Sequence, residues 1–208
     1  MEKQKTTNMA IKKNNRNRIY RYIRKVEVTS NPDISYDLKI SLPTVTQNTK
    51  ELIEKGLVRE TGKLKSTGGK RAVGLAAAAD FKLAVGLDIT RNHISLVLAD
   101  LTGRLLKSCR IFRPFEHQES YYKKVNELLE QFLDEHKVVR DRILGIGISL
   151  PGIVNLKKEE ISYSHVLKVE AVPFSYLSAF FSYPCYYLND ANAGAYAEGI
   201  FLDSMERF

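Results

Sequence analysis

The net positive charge of this sequence comes entirely from its first eighty residues. Residues 1–80 contain 17 lysines and arginines against 8 aspartates and glutamates, whereas residues 81–208 contain 15 against 16. The difference predicts a basic module joined to a near-neutral one, with a boundary near Asp80. A basic module of this kind is typical of a polyanion-binding head, although a merely soluble basic surface has the same composition.

Hydropathy and the scarcity of metal-binding residues exclude several classes of protein. No run of 18 apolar residues is present, and the basic N-terminus lacks the apolar stretch of a secretory signal, so we expect a cytoplasmic protein. Cys109 and Cys185 lie in apolar, strand-like sequence and are expected to be small core residues; a disulfide or a reactive thiol is the alternative. We expect no metal, because the histidines lack ligand spacing. They are His93, His117, His136 and His165.

Two helical patterns open the basic module. NRNRIYRYIRKVEV has Asn14 or Asn15 as its cap, and residues 1–13 before it are expected to form a disordered arm. NPDISYDLKI has Asn31 as its cap and Pro32 at the first helical position. The apolar faces of these two helices are formed by Ile19, Ile23, Val26, Ile34 and Leu38.

The third helical pattern, SLPTVTQNTKELIEKGLV, has the features of a DNA-recognition helix. Ser41 can cap it, Pro43 fits its first turn, and Gly56 fits its end. Its apolar stripe is formed by Val45, Leu52 and Ile53. The opposite face has short or amide side chains that can approach base edges and phosphates in a major groove. The residues expected to contact DNA are Thr44, Thr46, Gln47, Asn48 and Lys50.

A β-hairpin is predicted directly after this helix. LVRETG and AVGLAA read as strands, and KLKSTGGKR between them reads as a flexible basic turn. Its cations are expected to bind the DNA backbone or the minor groove; they are Lys63, Lys65, Lys70 and Arg71. The pattern therefore predicts a winged helix-turn-helix over residues 1–80 that binds double-stranded DNA. A small three-helix bundle with a solvated face is the alternative.

The second module, residues 81–208, alternates strands and helices. DFKLAVGLDI, NHISLVLADL and GRLLKSCRIF predict three successive strands, and HQESYYKKVNELLEQFLDEHK predicts a helix. RILGIGISLPGIV is a strand that ends at a sharp Pro151-Gly152 loop. A less regular stretch follows to about residue 184, with a short helix in VPFSYLSAFF, and CYYLNDANAGAYAEG is a strand that leads into a helix at Ala191. These elements predict an α/β domain with a mixed sheet.

Four motifs in this order resemble the ROK family of bacterial sugar-responsive repressors and sugar kinases, and its repressor branch in particular. They are the winged helix-turn-helix ending in GGKR, the hairpin VGLDITRNHISLVLADLTGRLL, the strand and loop GIGISLPGIV, and LNDANAGAYAEG. The resemblance covers nearly the whole chain from about residue 14. It implies that residues 81–208 form the first lobe of an actin-like ATPase fold, with a sheet of ribonuclease H type.

The resemblance also identifies a phosphate-binding turn that has lost its glycines. In kinase members this turn reads Asp-x-Gly-Gly-Thr, and its amides bind ATP phosphates because only glycine lets the backbone approach so closely. Here Asp88 is kept, but Thr90, Arg91 and Asn92 occupy the turn. We therefore expect no ATP and no other cofactor, and no catalytic residue.

The sugar end of the resemblance is retained. In kinase members the aspartate that matches Asp190 is the general base, and the asparagine that matches Asn189 also bonds the sugar. A carboxylate beside an amide suits neighbouring sugar hydroxyls. The loop of Pro151 and Gly152 matches the family segment that closes over the same sugar. The alternative for Asp190 is that it only caps the helix that starts at Ala191.

Together these features predict a DNA-binding regulator, expected to be a repressor, of carbohydrate metabolism. Its expected partners are a DNA operator, a small sugar or sugar-phosphate effector, and a second copy of the chain in a homodimer or higher homo-oligomer, with no membrane. The chain stops at Phe208, where the second lobe of the family would begin, so that lobe is expected to be missing through truncation or natural shortening. An ATP-dependent sugar kinase and a module that binds protein or sugar without DNA are the alternatives.

Overall fold

The computed structural model describes residues 8–64 and 72–205, and the chain divides into two compact units. The first unit is Met1–Phe81 and the second is Lys82–Phe208. Each unit has its own hydrophobic core. None of the described helices is long and apolar enough to cross a membrane.

Three helices form the body of the first unit: α1 (Asn8–Lys25), α2 (Asn31–Leu38) and α3 (Leu42–Glu54). Their apolar side chains are spaced by three, four or seven residues, so each helix turns one face inward. The buried core consists of Ile19, Ile23, Ile34, Ile40, Val45, Leu52, Val58 and Leu75. Leu38 and Ile53 pack against it as partly buried residues, as predicted, whereas Val26 lies beyond the end of α1.

The starts of the first two helices differ from the prediction. Helix α1 already includes Asn8, so Asn14 and Asn15 lie inside it, and the expected disordered arm is wrong for residues 8–13. Ala10 and the lysines of that segment are good helix formers, which extends the helix past its polar residues. Helix α2 is capped by Ser30 rather than by Asn31, because the Ser30 hydroxyl accepts a hydrogen bond from the Asp33 amide at 3.4 Å.

A hydrophobic staple marks the start of α3. Ile40 precedes the cap residue Ser41 and is 8% exposed, and Val45, at the fourth helical position, is fully buried. Pro43 lies in the first turn as predicted. The Ser41 hydroxyl lies 2.8 Å from the Thr44 hydroxyl and makes no capping bond to the backbone. The entry of the chain into α3 is therefore fixed mainly by buried apolar side chains.

The end of α3 is a Schellman motif at Gly56, the predicted stop. Gly56 has a φ of 71°, its amide donates to the Ile53 carbonyl at 2.8 Å, and the Leu57 amide donates to the Leu52 carbonyl at 2.9 Å. A Cβ atom at Gly56 would also lie 2.6 Å from the ring of Phe81. Both the backbone conformation and the close packing therefore require glycine here.

An antiparallel hairpin of β1 (Val58–Lys63) and β2 (Val73–Ala77) completes the first unit. The Leu64 amide donates to the Ala72 carbonyl at 2.9 Å, which continues the pairing toward the tip. The tip itself, residues 65–71, lies outside the described residues. Thr29 and Leu75 exchange two backbone hydrogen bonds of 2.9 and 2.7 Å, so the segment between α1 and α2 forms a bridge to β2.

The second unit contains eight strands and three α-helices among its described residues. In chain order they are β3 (Leu83–Ile89), β4 (His93–Asp100), β5 (Leu105–Phe112), α4 (Glu119–Glu135), β6 (Ile143–Leu150), β7 (Ile153–Asn155), β8 (Glu160–Ser164), β9 (Val169–Pro173), α5 (Phe174–Ser178), β10 (Cys185–Asn189) and α6 (Asp190–Met205). A short 3₁₀ helix, Arg140–Arg142, precedes β6.

Five of these strands form a mixed sheet in the order β10-β6-β3-β4-β5. The β3, β4 and β5 strands are antiparallel neighbours, and β3, β6 and β10 run parallel to one another. The three-strand meander and the later parallel strands agree with the pattern read from the sequence. Because the three parallel strands are adjacent, their carboxyl ends meet at one edge of the sheet.

The buried side chains of α4, β3 and β4 belong to one hydrophobic core. The predicted inner residues Val125, Leu129, Phe132 and Leu133 are all buried, and Leu128 is partly buried. Tyr121 and Tyr122 are also fully buried in the first turn of α4. Burial raises the pKa of Tyr121 to about 12 and raises that of Tyr122 as well.

A small antiparallel sheet of β7, β8 and β9 occupies the stretch that the sequence indicated only as irregular. Its connections use Glu159 and Lys168, which adopt positive φ values of 54° and 55° without being glycine. Turns of this kind carry none of the Asn-Gly or Gly-rich signals by which hairpins are recognised in sequence. The prediction of a short helix in VPFSYLSAFF is confirmed by α5.

The two cysteines lie on opposite edges of the five-stranded sheet. Cys109 is in β5 and Cys185 is in β10, so three strands separate them, a distance of about 19 Å at the usual strand spacing. Both are free thiols and half-buried, and burial raises the pKa of each. The prediction of small buried core residues is therefore correct only in part, because both pack against the core as partly buried residues. A disulfide between them is excluded by distance.

Candidate functional site

The exposed face of α3 contains most of the α3 side chains that were predicted to contact DNA. Thr46, Gln47 and Lys50 are exposed, and Thr44 is half-buried. Thr46 and Lys50 are four residues apart and so lie in one row along the helix. No acidic residue occurs between Leu42 and Lys50, so this part of the helix presents only neutral and basic groups.

Asn48 does not belong to that exposed face, and its prediction as a DNA contact is wrong. The residue is 1% exposed, and its Nδ2 donates to the Thr44 carbonyl at 2.7 Å. Its Oδ1 is buried and finds no hydrogen-bond partner among the described residues. The sequence spacing already indicated that Asn48 is buried. Asn48 lies three residues after Val45 and four before Leu52 and therefore falls on the apolar stripe.

Glu51, one turn after Gln47, connects α3 to α1. Lys12 forms an ion pair with Glu51 Oε1, and Arg16 Nη1 donates to Glu51 Oε2 at 3.2 Å. The hydrogen bond from Lys12, with that from Arg16, lowers the pKa of the Glu51 carboxyl. Two of the many cations of α1 are therefore paired with α3 within this unit.

The hairpin contributes one described cation to the candidate DNA surface. Lys63 ends β1 and is exposed. The other predicted contacts of the hairpin, Lys65, Lys70 and Arg71, lie outside the described residues. An exposed strand end with lysine suits contact with the phosphate backbone, which is recognised by charge rather than by sequence.

A second candidate site lies at the carboxyl ends of β6 and β10 in the other unit. The two strands are parallel, and Leu150 is paired with Asn189, so Pro151 and Asp190 follow at the same edge of the sheet. Crevices at this edge are where α/β sheets bind ligands. The structure thus brings together the Pro151-Gly152 loop and the Asn189-Asp190 pair, which the sequence predicted as one sugar site.

Within this site both ends of the Asn189 side-chain amide are hydrogen-bonded to the protein. Its Nδ2 donates to the Gly152 carbonyl at 2.6 Å, and its Oδ1 accepts from the amides of Ala191 and Asn192 at 2.8 and 3.2 Å. Asn189 is therefore the residue that caps α6, and the capping role considered for Asp190 falls largely to its neighbour. It also fixes the loop that contains Gly152 against the start of that helix.

Asp190 is exposed and retains capacity to bind a ligand. Its Oδ1 accepts a hydrogen bond from the Ala191 amide at 2.8 Å, and no described residue donates to its Oδ2. A carboxylate oxygen in this position can accept a hydrogen bond from a ligand hydroxyl. Asn189 therefore fixes the edge of the site, and Asp190 is the exposed group at that edge.

The Pro151-Gly152 loop is held from its other side by β8. Ser164 is fully buried and its hydroxyl donates to the Pro151 carbonyl at 2.5 Å. Gly152 has a φ of 143°, and a Cβ atom there would lie 2.7 Å from the Tyr163 carbonyl oxygen. Neither the loop path nor the space beside it accepts a side chain, so this position requires glycine.

The third predicted group, Asp88 with the following turn, lies at the same sheet edge on β3. The Ser149 hydroxyl donates to Asp88 Oδ1 at 3.0 Å, which links β6 to β3. Since β3 is two strands from β10, Asp88 and Asp190 are about 10 Å apart across the sheet at the usual strand spacing. This carboxylate therefore has a structural partner already.

The turn after Asp88 is closed by its own hydrogen bonds. The Thr90 amide donates to the His93 carbonyl at 2.9 Å, and the His93 amide donates to the Thr90 hydroxyl at 3.1 Å. None of the residues 90–93 has a positive φ. Two of the turn amides are thus used within the turn, and the backbone lacks the left-handed residues that form an anion-binding nest. Arg91 is exposed at its tip.

No group of three or more histidine, cysteine, aspartate or glutamate side chains that could hold a metal ion is found within residues 8–64 and 72–205.

Comparison with known families divides the chain in the same way as the structure. Residues 84–206 match the model of the ROK family, and residues 13–59 match a model described as winged helix-turn-helix DNA-binding. The first match covers the five-stranded sheet and both candidate segments at its edge. The second covers most of the three-helix body and the start of the hairpin.

Two curated relatives and one solved structure extend these matches. The putative xylose repressor of Caldicellulosiruptor sp. (strain Rt8B.4) is 33% identical over 171 residues, which is 81% of this chain and 43% of the relative. The DNA-binding transcriptional dual regulator NagC of Escherichia coli (strain K12) is 27% identical over 197 residues, or 94% of this chain and 48% of the relative. The chain thus spans less than half the length of these curated relatives.

The solved structure confirms the fold. It is described as a ROK family transcriptional regulator, a homologue of the E. coli MLC protein, and it matches with a TM-score of 0.68 at 24% identity. The match covers 92% of this chain and 49% of that chain. The predicted fold class, an N-terminal winged helix-turn-helix followed by a ribonuclease H-like lobe of the actin-like ATPase type, is therefore confirmed.

Proposed function

The chain belongs to the ROK family, and from this premise we propose that it is a DNA-binding transcriptional regulator, a repressor, of carbohydrate metabolism. The observation that carries the proposal is the exposed N-terminal half of α3, which has no acidic residue and presents Thr46, Gln47 and Lys50. The names of the curated relatives support the same function. The proposal includes a cytoplasmic location, because an operator lies on the chromosome.

In the proposed complex α3 lies in a major groove and the hairpin follows the backbone. Gln47 has the amide that pairs with the N6 and N7 edge of adenine, and Lys50 suits guanine or a phosphate. Lys63 and the hairpin-tip cations Lys65, Lys70 and Arg71 bind phosphates. Readers of this type use two half-sites, so we propose that a homodimer or higher homo-oligomer is the active form.

The second unit is proposed to bind the effector, a small sugar or sugar phosphate, or to support dimerisation. Asp190 Oδ2 accepts from a sugar hydroxyl at the edge formed by Pro151, Gly152 and Asn189. Two bonded amides in the turn after Asp88 and the absence of positive φ there argue against a phosphate cradle. We therefore propose a sensing lobe rather than a kinase.

Fluorescence anisotropy with labelled DNA from around the protein's own gene tests the DNA-binding part. We expect binding with a steep negative salt dependence and a clear preference over scrambled DNA. Lys63→Ala should weaken binding to all sequences alike and reduce the salt slope, whereas Gln47→Ala should change the sequence preference. Equal binding to operator and scrambled DNA, or no binding at low salt, would overturn the proposal.

Two assays test the proposed sensing lobe: release of DNA when a sugar is added, and sugar-dependent formation of ADP. Addition of aldoses, with xylose among the probes, should release the DNA in the wild-type protein and not in Asp190→Ala. A coupled assay for sugar-dependent ADP formation should stay at background. ADP formation that disappears in Asp190→Asn would instead establish the alternative, an ATP-dependent sugar kinase.

A further inference from the structure

Leu42, the first residue of α3, is an exposed apolar side chain at the DNA-facing end of that helix. It is 45% exposed, whereas Leu52 in the same helix is 2% exposed. It is neither in the buried core of the unit nor among the partly buried residues that pack against that core. A large part of its apolar surface therefore stays in contact with solvent in the folded unit.

The start of α3 does not need Leu42 for its own structure. The hydrophobic staple is formed by Ile40 and Val45, which are both buried. The Ser41 and Thr44 hydroxyls contact each other at 2.8 Å. Neither the staple nor this contact uses the Leu42 side chain.

The position of Leu42 places it in the row that faces DNA in the proposed complex. It lies four residues before Thr46 and eight before Lys50, so the three side chains follow one exposed row of the helix. Side chains on a helix lean toward its N-terminus, so Leu42 extends beyond the first turn. That end of the recognition helix is the one that enters a major groove.

From these observations we propose that Leu42 is a specificity-determining residue that recognises a thymine through its 5-methyl group. This methyl is the apolar feature that base edges present in the major groove, and an apolar side chain is its complement. The inference rests on the proposed DNA-binding function and deepens it. It adds an apolar element to a surface that the sequence had indicated only through polar side chains.

The experiment removes the methyl group from the DNA and the side chain from the protein. An operator is first selected from a random duplex pool by the full chain, and each thymine is then replaced in turn by deoxyuridine, which lacks only the methyl. The wild-type protein should lose about three- to tenfold in affinity at one thymine of each half-site, as expected for an apolar contact of this size. Leu42→Ala should lose a similar factor on the thymine operator and almost nothing further on deoxyuridine.

A matched control comes from α1, where Ile11 is 46% exposed. Ile11→Ala should keep the full deoxyuridine penalty of the wild-type protein. An undiminished penalty in Leu42→Ala, or a wild-type protein insensitive to every deoxyuridine substitution, would overturn the inference and leave the DNA-binding proposal intact. A pool from which no sequence is enriched would overturn both.

Discussion

The side-chain amide of Asn189 donates a hydrogen bond of 2.6 Å to the carbonyl oxygen of Gly152, 37 residues earlier in the chain. The same side chain caps α6 through its Oδ1. One residue therefore connects the carboxyl end of β10, the start of α6 and the loop after β6. The geometry of the candidate sugar site depends on this residue even where the sugar does not touch it.

Two substitutions of Asn189 should separate its two roles. Asn189→Asp keeps an acceptor for the α6 amides but loses the donor to Gly152, whereas Asn189→Ala loses both. We expect Asn189→Ala to lower the free energy of unfolding by about 1 kcal/mol more than Asn189→Asp, since that is the usual value of a helix cap. Denaturation followed by circular dichroism measures this difference.

Both variants should increase amide hydrogen exchange in residues 152–155, because both lose the bond to the Gly152 carbonyl. Unchanged exchange in the two variants would show that Ser164 alone holds the loop.

Gly152 should be intolerant of even a methyl group. Its φ of 143° and the 2.7 Å approach to the Tyr163 carbonyl predict that Gly152→Ala lowers the free energy of unfolding by about 1–3 kcal/mol. Gly194 in α6 is the matched control, because an added Cβ there meets no atom within 4 Å. Gly194→Ala should instead stabilise the helix by up to about 1 kcal/mol. Urea denaturation of the two variants checks the opposite signs, and equal effects would contradict the strain argument.

We predict that Asn48 lowers the stability of the first unit. Replacing it with leucine removes a buried Oδ1 that lacks a partner, so Asn48→Leu should raise the free energy of unfolding by about 1 kcal/mol. Thermal denaturation checks this result. The sequence preference of DNA binding should stay the same in Asn48→Leu, in contrast to Gln47→Ala. A changed preference would show that Asn48 leaves the core when DNA binds.

The link between α1 and α3 should weaken in acid. The folded-state pKa of Glu51 is lowered, so its contribution to stability is present above the ordinary carboxyl pKa and is lost as the pH falls through the lowered value. Wild-type protein should therefore exceed Glu51→Gln in stability at pH 7, and the difference should vanish toward pH 3. Denaturant unfolding across this range measures it.

Glu54→Gln serves as the control for that experiment. Glu54 is 62% exposed and lies 4.0 Å from Lys50, a distance at which a surface pair contributes little. A pH-dependent loss of stability of the same size in both variants would show that the Glu51 ion pairs contribute no more than the exposed Lys50–Glu54 pair.

Elements with strong periodicity were predictable from the sequence, and contacts between distant segments were not. The inner face of α4 follows from helical spacing, and β3, β4 and β5 follow from alternation bounded by turns. Strands β7–β9 were missed because Glu159 and Lys168 occupy left-handed turn positions that usually belong to glycine or asparagine.

The candidate site shows the same division. The family resemblance implied that Asn189, Asp190, Pro151 and Gly152 lie together, and the parallel pairing of β6 and β10 accounts for their proximity. The hydrogen bond from Asn189 to the Gly152 carbonyl depends on tertiary structure alone. Asn48 was a different kind of error, since its spacing from Val45 and Leu52 already assigned it to the core.

The turn after Asp88 is anchored by backbone hydrogen bonds to a second segment of the chain. The carbonyls of Arg91 and Asn92 accept hydrogen bonds of 2.9 Å from the amides of Phe115 and Arg113, in the segment that follows β5. Because both bonds use backbone carbonyls, exchange of Arg91 and Asn92 for glycine would remove neither acceptor. Glycine at these two positions alone would therefore not free the turn from the segment that follows β5.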